Sequence, residues 1–390
     1  VLDGGGALYG KVSVVASYTL GTDAYAAEDT GRTTLEEAYL GVRLPVGEAR
    51  TLDLSLGPRE LKLGTGMLIA NGGSSGFERG ALKFGPRKAW EMSAIARLSQ
   101  GPLTGTLFYI DPNETDSNDS GNELAGLDLR HDSTAGGYLG LSYVTVLESR
   151  TPYPQAAPGG LGPPTVTPGA RDGLNSLNLY AGTDPFEGAL AGAVFTADLA
   201  YQWNDEIDLE AWAGRVQAGY SFAGLPWSPT LTYSYQTFSG DDPDTAALER
   251  FDPLYYEGSP SAWATGSKSS MVFINSNVNA HGLALRLQPT RQDTVTLRYA
   301  HIRANELASP IQFGQATRVD TSGGTANVIS GVTDAHLSDD FFVEYSRIIN
   351  RNTYLTAGVS LSRPGAGIQN VVAGNVPNWT GGFINVVFNF

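Results

Sequence analysis

From Asn378 to Phe390 the chain reads Asn-Trp-Thr-Gly-Gly-Phe-Ile-Asn-Val-Val-Phe-Asn-Phe, and no other stretch constrains the fold as strongly. Taken with period two, Ile384, Val386, Phe388 and Phe390 point one way, while Phe383, Asn385 and Asn389 point the other, which describes a strand with one greasy face. Such a strand, ending on an aromatic ring, makes a poor edge for a sheet in water. In a sheet that closes on itself within a bilayer, the aliphatic residues meet lipid and the last ring sits in the interfacial aromatic girdle. The same alternation recurs along the whole chain, which sets a soluble β-sandwich aside.

Composition narrows the choice. No run approaches the ~20 consecutive apolar residues of a helical span, so a membrane-inserted form has to be a closed barrel, the other structure that satisfies every backbone group in lipid. The 48 Gly, 18 Tyr, 15 Phe and 6 Trp suit strands, tight turns and aromatic belts better than long helices. Cysteine is absent, which removes disulfides and thiolate metal sites and fits an envelope protein. No segment at the start has the charged, apolar and cleavage-site order of a signal peptide, so the expectation is a mature form that begins near its first strand. With 40 acidic against 25 basic residues the formal charge is -15, which argues against nucleic acid as a partner.

About seventeen alternating segments have the length of tilted membrane strands, roughly 9 to 11 residues each. They begin with residues 7–20, 33–44 and 49–57, include 77–84 and 88–98, and end with 337–349, 354–361 and 379–390. Bacterial single-chain barrels have an even strand number, so one strand is missing, with 64–70 or 311–329 the candidates. The reading is an all-β, transmembrane antiparallel β-barrel of about 18 strands, with 16 as the alternative. Residues 1–390 then form a single outer-membrane domain. Short connections such as 350–352 are expected on the periplasmic side. Long ones, at 111–122, 148–172, 239–277 and 305–336, are expected to be extracellular.

Two internal stretches carry a family likeness. Leu56-Gly-Pro-Arg-Glu-Leu-Lys-Leu-Gly-Thr-Gly-Met-Leu-Ile-Ala-Asn71, followed by Phe77-Glu-Arg-Gly-Ala-Leu-Lys-Phe84, resembles the Gly-Arg-Gln-Glu-like strand, Gly-x-Gly-x-Leu-Ile-Gly-Asn run and Arg-bearing strand of the alginate-export family of bacterial outer-membrane barrels. Glu249-Arg-Phe-Asp-Pro-Leu-Tyr-Tyr-Glu-Gly258, ahead of Asn279-Ala-His-Gly-Leu-Ala-Leu-Arg-Leu-Gln-Pro289, resembles that family's Phe-Asp-Pro-Leu loop and the strand after it. Pro58 and Glu60 depart from the pattern. The resemblance implies a bacterial outer-membrane channel that exports an anionic polysaccharide such as alginate. The terminal Phe390 resembles the assembly signal of such barrels, which implies the barrel-assembly machinery, outer-membrane lipid and lipopolysaccharide as partners. The residues alone leave open a substrate-selective uptake porin for small organic anions or oligosaccharides. A monomer is expected.

Alternation also assigns the inner face. With Leu52, Leu54, Leu56, Leu82 and Phe84 toward lipid, Asp53, Arg59, Arg79 and Lys83 turn inward. The same logic places Lys11, Arg43, Lys62, Arg97, Arg130, Arg215, Arg286 and Arg298 in the pore, with Glu37, Asp53, Glu91, Asp128, Asp198 and Glu344 as acidic partners. A charge on the lipid face costs about 2 to 4 kcal/mol at the midplane, so energy alone favours this placement. Cross-strand pairing that merely rigidifies the lumen is one reading. The other is an anion-selecting wall, because Arg59, Lys62, Arg79, Lys83, Arg87, Lys88 and Arg97 crowd into consecutive segments.

Cofactors are not expected, apart from loop-bound calcium. The stretch Asp111-Pro-Asn-Glu-Thr-Asp-Ser-Asn-Asp119 offers Asp111, Glu114, Asp116 and Asp119 to a hard cation, though without the spacing of an EF-hand loop; the alternative is a solvated loop. The four histidines, His131, His281, His301 and His336, lie in no nucleophile elbow or metal-binding helix, so no catalytic residue is assigned. An outer-membrane hydrolase remains a minor alternative, with His336 and the neighbouring Asp334, Asp339 and Asp340 as its candidate groups.

Overall fold

The computed structural model describes every residue except 1–4, 21–28, 74–75, 81–86, 118, 135, 184–190, 259–262, 268, 270, 314–327, 373 and 390. Its wall is one antiparallel sheet of sixteen strands in sequence order. The first seven are β1 (Ala7–Thr19), β2 (Thr30–Val46), β3 (Arg50–Leu56), β4 (Met92–Gln100), β5 (Leu103–Asp111), β6 (Glu123–Asp132) and β7 (Tyr138–Glu148). A loop holding the short pair β8 (Tyr153–Gln155) and β9 (Thr165–Thr167) leads to β10 (Asn175–Gly182), β11 (Ala193–Asn204), β12 (Leu209–Ser221) and β13 (Thr230–Phe238). A second short pair, β14 (Thr265–Gly266) and β15 (Val272–Phe273), precedes β16 (Val278–Leu287), β17 (Asp293–Ala304), β18 (His336–Asn350), β19 (Thr353–Pro364) and β20 (Trp379–Phe388). Among the described residues no helix is long and apolar enough to cross a membrane.

Alternation sets the register. Leu8, Val42, Leu54, Ala96, Leu107, Leu127, Tyr143, Leu177, Tyr201 and Trp212 form one continuous cross-strand row from β1 to β12. Slipping any strand by one residue would exchange this apolar row for the polar one beside it. Side chains of this face stand bare, Val12 at 78% and Ile384 at 77% exposure. Only a hydrocarbon solvent makes such exposure favourable around an entire sheet.

Among the described residues the wall has sixteen strands, the alternative count given for the barrel, in place of the favoured eighteen. The described part of segment 77–84 is not a strand: Gly76–Arg79 forms a single helical turn, α1, and 81–86 fall outside the described residues. Gly80, at φ +77°, ends that turn in a conformation no extended strand uses. Without 77–84, the remaining sixteen expected segments are the wall. Among the described residues neither candidate for a missed strand joins it. Residues 64–70 are turns with one bridge, Ile69 to Tyr255, while Ile311 bridges Ile329 and 314–327 fall outside the described residues.

The long connections 57–91, 112–122, 149–174, 239–277 and 305–335 all leave from one end of the wall, and short turns such as 101–102 and 351–352 join strands at the other. Several long connections fold inward. Arg87 donates to Ser17 Oγ (2.8 Å) and Thr34 Oγ1 (2.7 Å) on β1 and β2, and Thr65 Oγ1 donates to Asp198 Oδ1 on β11 (2.6 Å). From the 239–277 connection, Ser267 bonds Asp340 on β18 and Ser269 bonds Ser360 on β19 (2.6 Å). A plug that touches both ends and the middle of a sheet requires the sheet to wrap around it as a barrel. Among the described residues β1 and β20 are the two ends of the hydrogen-bonded order.

The apolar core is therefore inside the wall. Leu61, Leu63, Met67, Ile69, Trp90, Phe251, Leu254 and Trp263 of the loops pack on Ile95, Phe108, Ile110, Val144, Phe238 and Ile302 of the inner face. The helical turn α2 (Ala366–Gln369) adds Ile368 near the start of β18.

Candidate functional site

The loop motifs at 56–71 and 249–258, far apart in sequence, lie against one another in the lumen. Glycines at 64 and 66 take φ values of +51° and +85°, which lets the first loop turn sharply and close with Leu63 N–H on the Ile69 carbonyl at 3.0 Å. Its far limb runs beside the second loop: Tyr255 N–H donates to Leu68 O (2.9 Å), Ala70 N–H to Tyr255 O (2.8 Å) and Glu257 N–H to Gly66 O (2.8 Å). Lys62 and Glu257 close the contact with an ion pair of 2.6 Å. Two indoles lock the assembly, Trp90 Nε1 donating to Leu61 O at 3.2 Å and Trp263 Nε1 to Thr65 O at 3.0 Å.

Asp252 is the hinge of the second loop. Its carboxylate accepts two bonds from Arg171, at 2.7 and 2.9 Å, and one from Leu254 N–H at 2.8 Å. Its backbone exchanges two bonds with the Gln202 amide of β11, at 2.7 and 2.8 Å. Burial penalises the Arg171 cation, yet the Asp252 carboxylate beside it holds its pKa above the ordinary value. Burial pushes the adjoining Tyr255 phenol up to about 12, so it stays neutral; its hydroxyl accepts from Asn122 Nδ2 of the 112–122 connection at 2.5 Å and donates to Glu114 Oε1 at 3.5 Å.

The inner faces of the strands carry charged and polar side chains. Arg43, Asp53, Arg97, Thr106, Asp128, Ser142 and Asn178 form one inward row across β2 to β10. Lys11, Arg130, Arg215, Arg286 and Arg298 share the inward parity of their strands, as do Glu37, Asp198 and Glu344. Lys11 pairs with Glu37, and Arg43 with Asp53 at 2.9 Å. Arg59, in the loop, lies 4.6 Å over the Tyr39 ring and donates to Ser55 Oγ at 2.6 Å. Arg130 engages Asp132 at 2.8 Å, and Arg215 stacks 4.7 Å over Trp263. Glu91 is exposed where the plug returns to β4.

Acids on this face are largely consumed by hydroxyls. Asp128 accepts from Ser142 (2.6 Å) and Tyr180 (2.8 Å), Asp198 from Thr65, and Asp340 from Ser267 and Ser362. By contrast Arg97, Arg286 and Arg298 have no carboxylate partner among the described residues: Arg97 reaches only Thr106 Oγ1, at 3.4 Å, and Arg298 lies 5.8 Å over Phe342. At the turn end, a cavity of about 200 Å³ between β16 and β19 is lined by Arg286, Arg291 and Arg347.

Arg79 requires a correction, because it does not sit on an inward strand. It is the last residue of α1, buried, and its guanidinium donates to the carbonyls of Asn113 (3.1 Å) and Glu114 (2.8 Å). Arg79 and Arg87 are anchors of the plug, each with its pKa lowered chiefly by burial. Lys83 and Phe390 lie outside the described residues.

Some inward groups escaped the alternation. A register shift in β1–β2 beside Ser13 turns Glu36 inward next to Glu37, where it accepts the N–H groups of Lys88 (2.6 Å) and Ala89 (2.9 Å). Paired acids in a strand, Glu36-Glu37 and Asp339-Asp340, were the available signal. In the acidic loop, Glu114 accepts from Ser120, and Asp119 from Gly121 N–H and Arg150. That backbone bond, then Arg150, holds the Asp119 carboxyl below its usual range. Asp111 ends β5 and Asp116 is exposed on the loop.

Residues 186–378 match the family model described as Alginate export. The match runs from β11 to β19 and includes the second loop motif, while the first loop motif and β20 lie outside it. Whole-chain likeness extends to solved porins. A mutant of the Rh. blastica porin is 10% identical, over 99% of this chain and 100% of that one, at TM-score 0.42. The anion-selective porin from Comamonas acidovorans is 12% identical over 99% of each chain, at TM-score 0.42. OccAB1 of Acinetobacter baumannii is 11% identical over 94% of this chain and 79% of that one, at TM-score 0.47. No curated protein matches the sequence. With its lipid-facing wall and its alginate-export match, the chain is a channel protein of the bacterial outer membrane.

Proposed function

We propose that the channel passes anionic polysaccharide, or other anionic and polar solutes, through a lumen whose uncompensated charge is arginine. The observation that carries this reading is the asymmetry of pairing. Inward carboxylates are spent on hydroxyls and on Lys11 and Arg43, whereas Arg97, Arg286 and Arg298 keep no carboxylate partner among the described residues. In a narrow, partly dehydrated path such cations raise the local concentration of anions, and planar guanidinium engages both oxygens of a uronate carboxylate. The alginate-export match supports a polymer as the solute. Insertion by the barrel-assembly machinery and a monomeric state complete the proposal.

Filling of the lumen favours a second reading, uptake of small organic anions or oligosaccharides, since the plug leaves a buried core where a polymer would have to pass. Block of the ionic current separates the two. Polyuronate fragments should interrupt current through the purified channel at concentrations where neutral oligosaccharides of equal length do not. Equal block by both, or by neither, would end the anionic-polymer reading.

A further inference from the structure

The outward face holds a cluster that the channel does not use. His301 of β17 and Asp339 of β18 are cross-strand partners on the same face as the exposed Tyr299 and Phe341, close to the loop end of the wall. His336 should face inward with Ser338 and Asp340, two and four residues on. A register irregularity intervenes: Ile302 pairs with Ser338, but Arg303 pairs with His336, so Leu337 is an extra residue and His336 turns outward. Bulges of this kind re-aim side chains and are frequent at barrel rims.

The consequence is a convergence of three donors. His301 Nδ1 lies 2.9 Å from Asp339 Oδ1 and His336 Nε2 3.1 Å from Asp339 Oδ2. The two imidazoles stack, with centroids 4.8 Å apart and planes at 25°. His336 Nε2 is shielded from solvent and makes no hydrogen bond, because its approach to Asp339 has the distance of one without the angle. The three ligand atoms fall within 4.8 Å of one another. Tyr299 Oη donates to Asp339 Oδ1 at 2.8 Å and fixes the carboxylate, as a group behind a metal ligand does.

We propose that His301, His336 and Asp339 form a site for a divalent transition metal of zinc type on the outer face of the barrel. Two imidazoles and one carboxylate suit a borderline ion and not calcium or magnesium, which prefer all-oxygen sets. Metal–nitrogen bonds of about 2.0 to 2.1 Å need only small rotations of the two rings. Three protein ligands leave a fourth position open to water or to an anionic group at the membrane surface. The ion would clip β17 to β18 at the point where their register slips.

The test uses the full barrel in detergent, stripped of metal and titrated with Co²⁺ followed by visible absorption, then with Zn²⁺ as competitor. One Co²⁺ per chain should bind with a four-coordinate spectrum and be displaced by Zn²⁺. His301→Ala and His336→Ala should each weaken binding at least a hundredfold, while Tyr299→Phe should weaken it about tenfold with the spectrum kept. His131→Ala, on β6 at the turn end, should change nothing. Heat-modifiable migration on gels confirms that each variant is a folded barrel. Wild-type binding no tighter than that of the folded His336→Ala variant overturns the proposal, as does an equal loss in His131→Ala.

Discussion

Replacing Asp252 by Asn tests whether a buried ion pair holds the plug in the lumen. Arg171 and Asp252 meet through bonds of 2.7 and 2.9 Å, with side chains only 10% and 14% exposed. Asparagine keeps the shape and one acceptor, but leaves the guanidinium in a poorly solvated place without its countercharge. Breaking a buried pair from one side costs about 3 to 5 kcal/mol. The Gln202 bonds to the Asp252 backbone survive the change, so the loss falls on the pair. At about 1.4 kcal/mol per tenfold, release of the 249–258 loop becomes roughly a hundred to several thousand times more favourable. Single-channel recording in planar bilayers should show larger and noisier conductance, and trypsin should cut after Arg250 in the intact barrel. A double replacement, Arg171→Met with Asp252→Leu, should restore much of the closed behaviour because an apolar pair needs no countercharge. Wild-type conductance and wild-type resistance to trypsin in Asp252→Asn would refute the reasoning.

Further expectations concern topology, packing and pH. Because the chain has no cysteine, single introduced thiols report sidedness: one at Asp116 should react with a membrane-impermeant reagent on intact cells and one at Arg351 should not, and the reverse pattern would invert the barrel. Gly64→Ala puts a methyl 2.8 Å from the Tyr180 ring at a φ of +51°, and should loosen the plug by about 1 to 3 kcal/mol, read as increased conductance. Gly159→Ala, at φ +64° but with open space around it, should leave conductance unchanged. Burial pushes the Asp241 carboxyl above the ordinary carboxylate value, so the docked loop binds that proton more tightly than the released one. Its contribution to docking is then present in acid and fades as pH rises from about 4 through the raised value, and Asp241→Asn should flatten the pH dependence of hydrogen exchange across 239–251.

The wall was legible because period two is a local property and its burial signal repeats strand after strand. Lys11, Arg43, Arg97, Arg215 and Arg298 could be assigned a face from Leu8, Val42, Leu54, Leu98, Val216 and Leu297 beside them. The plug was not legible in the same way. Residues 77–84 alternate like a strand, yet Gly80 and the buried anchoring of Arg79 make 76–80 a turn, an outcome decided by contacts with β1 and the 112–122 connection. Lys62 and Glu257 stand 195 residues apart, and nothing between them encodes the meeting. Single-residue slips were equally hidden, since a bulge reverses the face of a side chain without altering composition, as Glu36 and His336 illustrate.

Reversal potential across a salt gradient tests the central claim most directly. With potassium chloride at unequal concentrations and low ionic strength, where screening over about 10 Å or more leaves the lumen charges effective, the wild-type channel should prefer chloride. Arg97→Gln combined with Arg298→Gln should move the potential toward the cation limit, with the barrel still folded, because lumen substitutions tune selectivity more than stability. A cation-selective wild type, or a double variant with an unchanged potential, would contradict the account and leave these arginines as groups that only fill and brace the lumen.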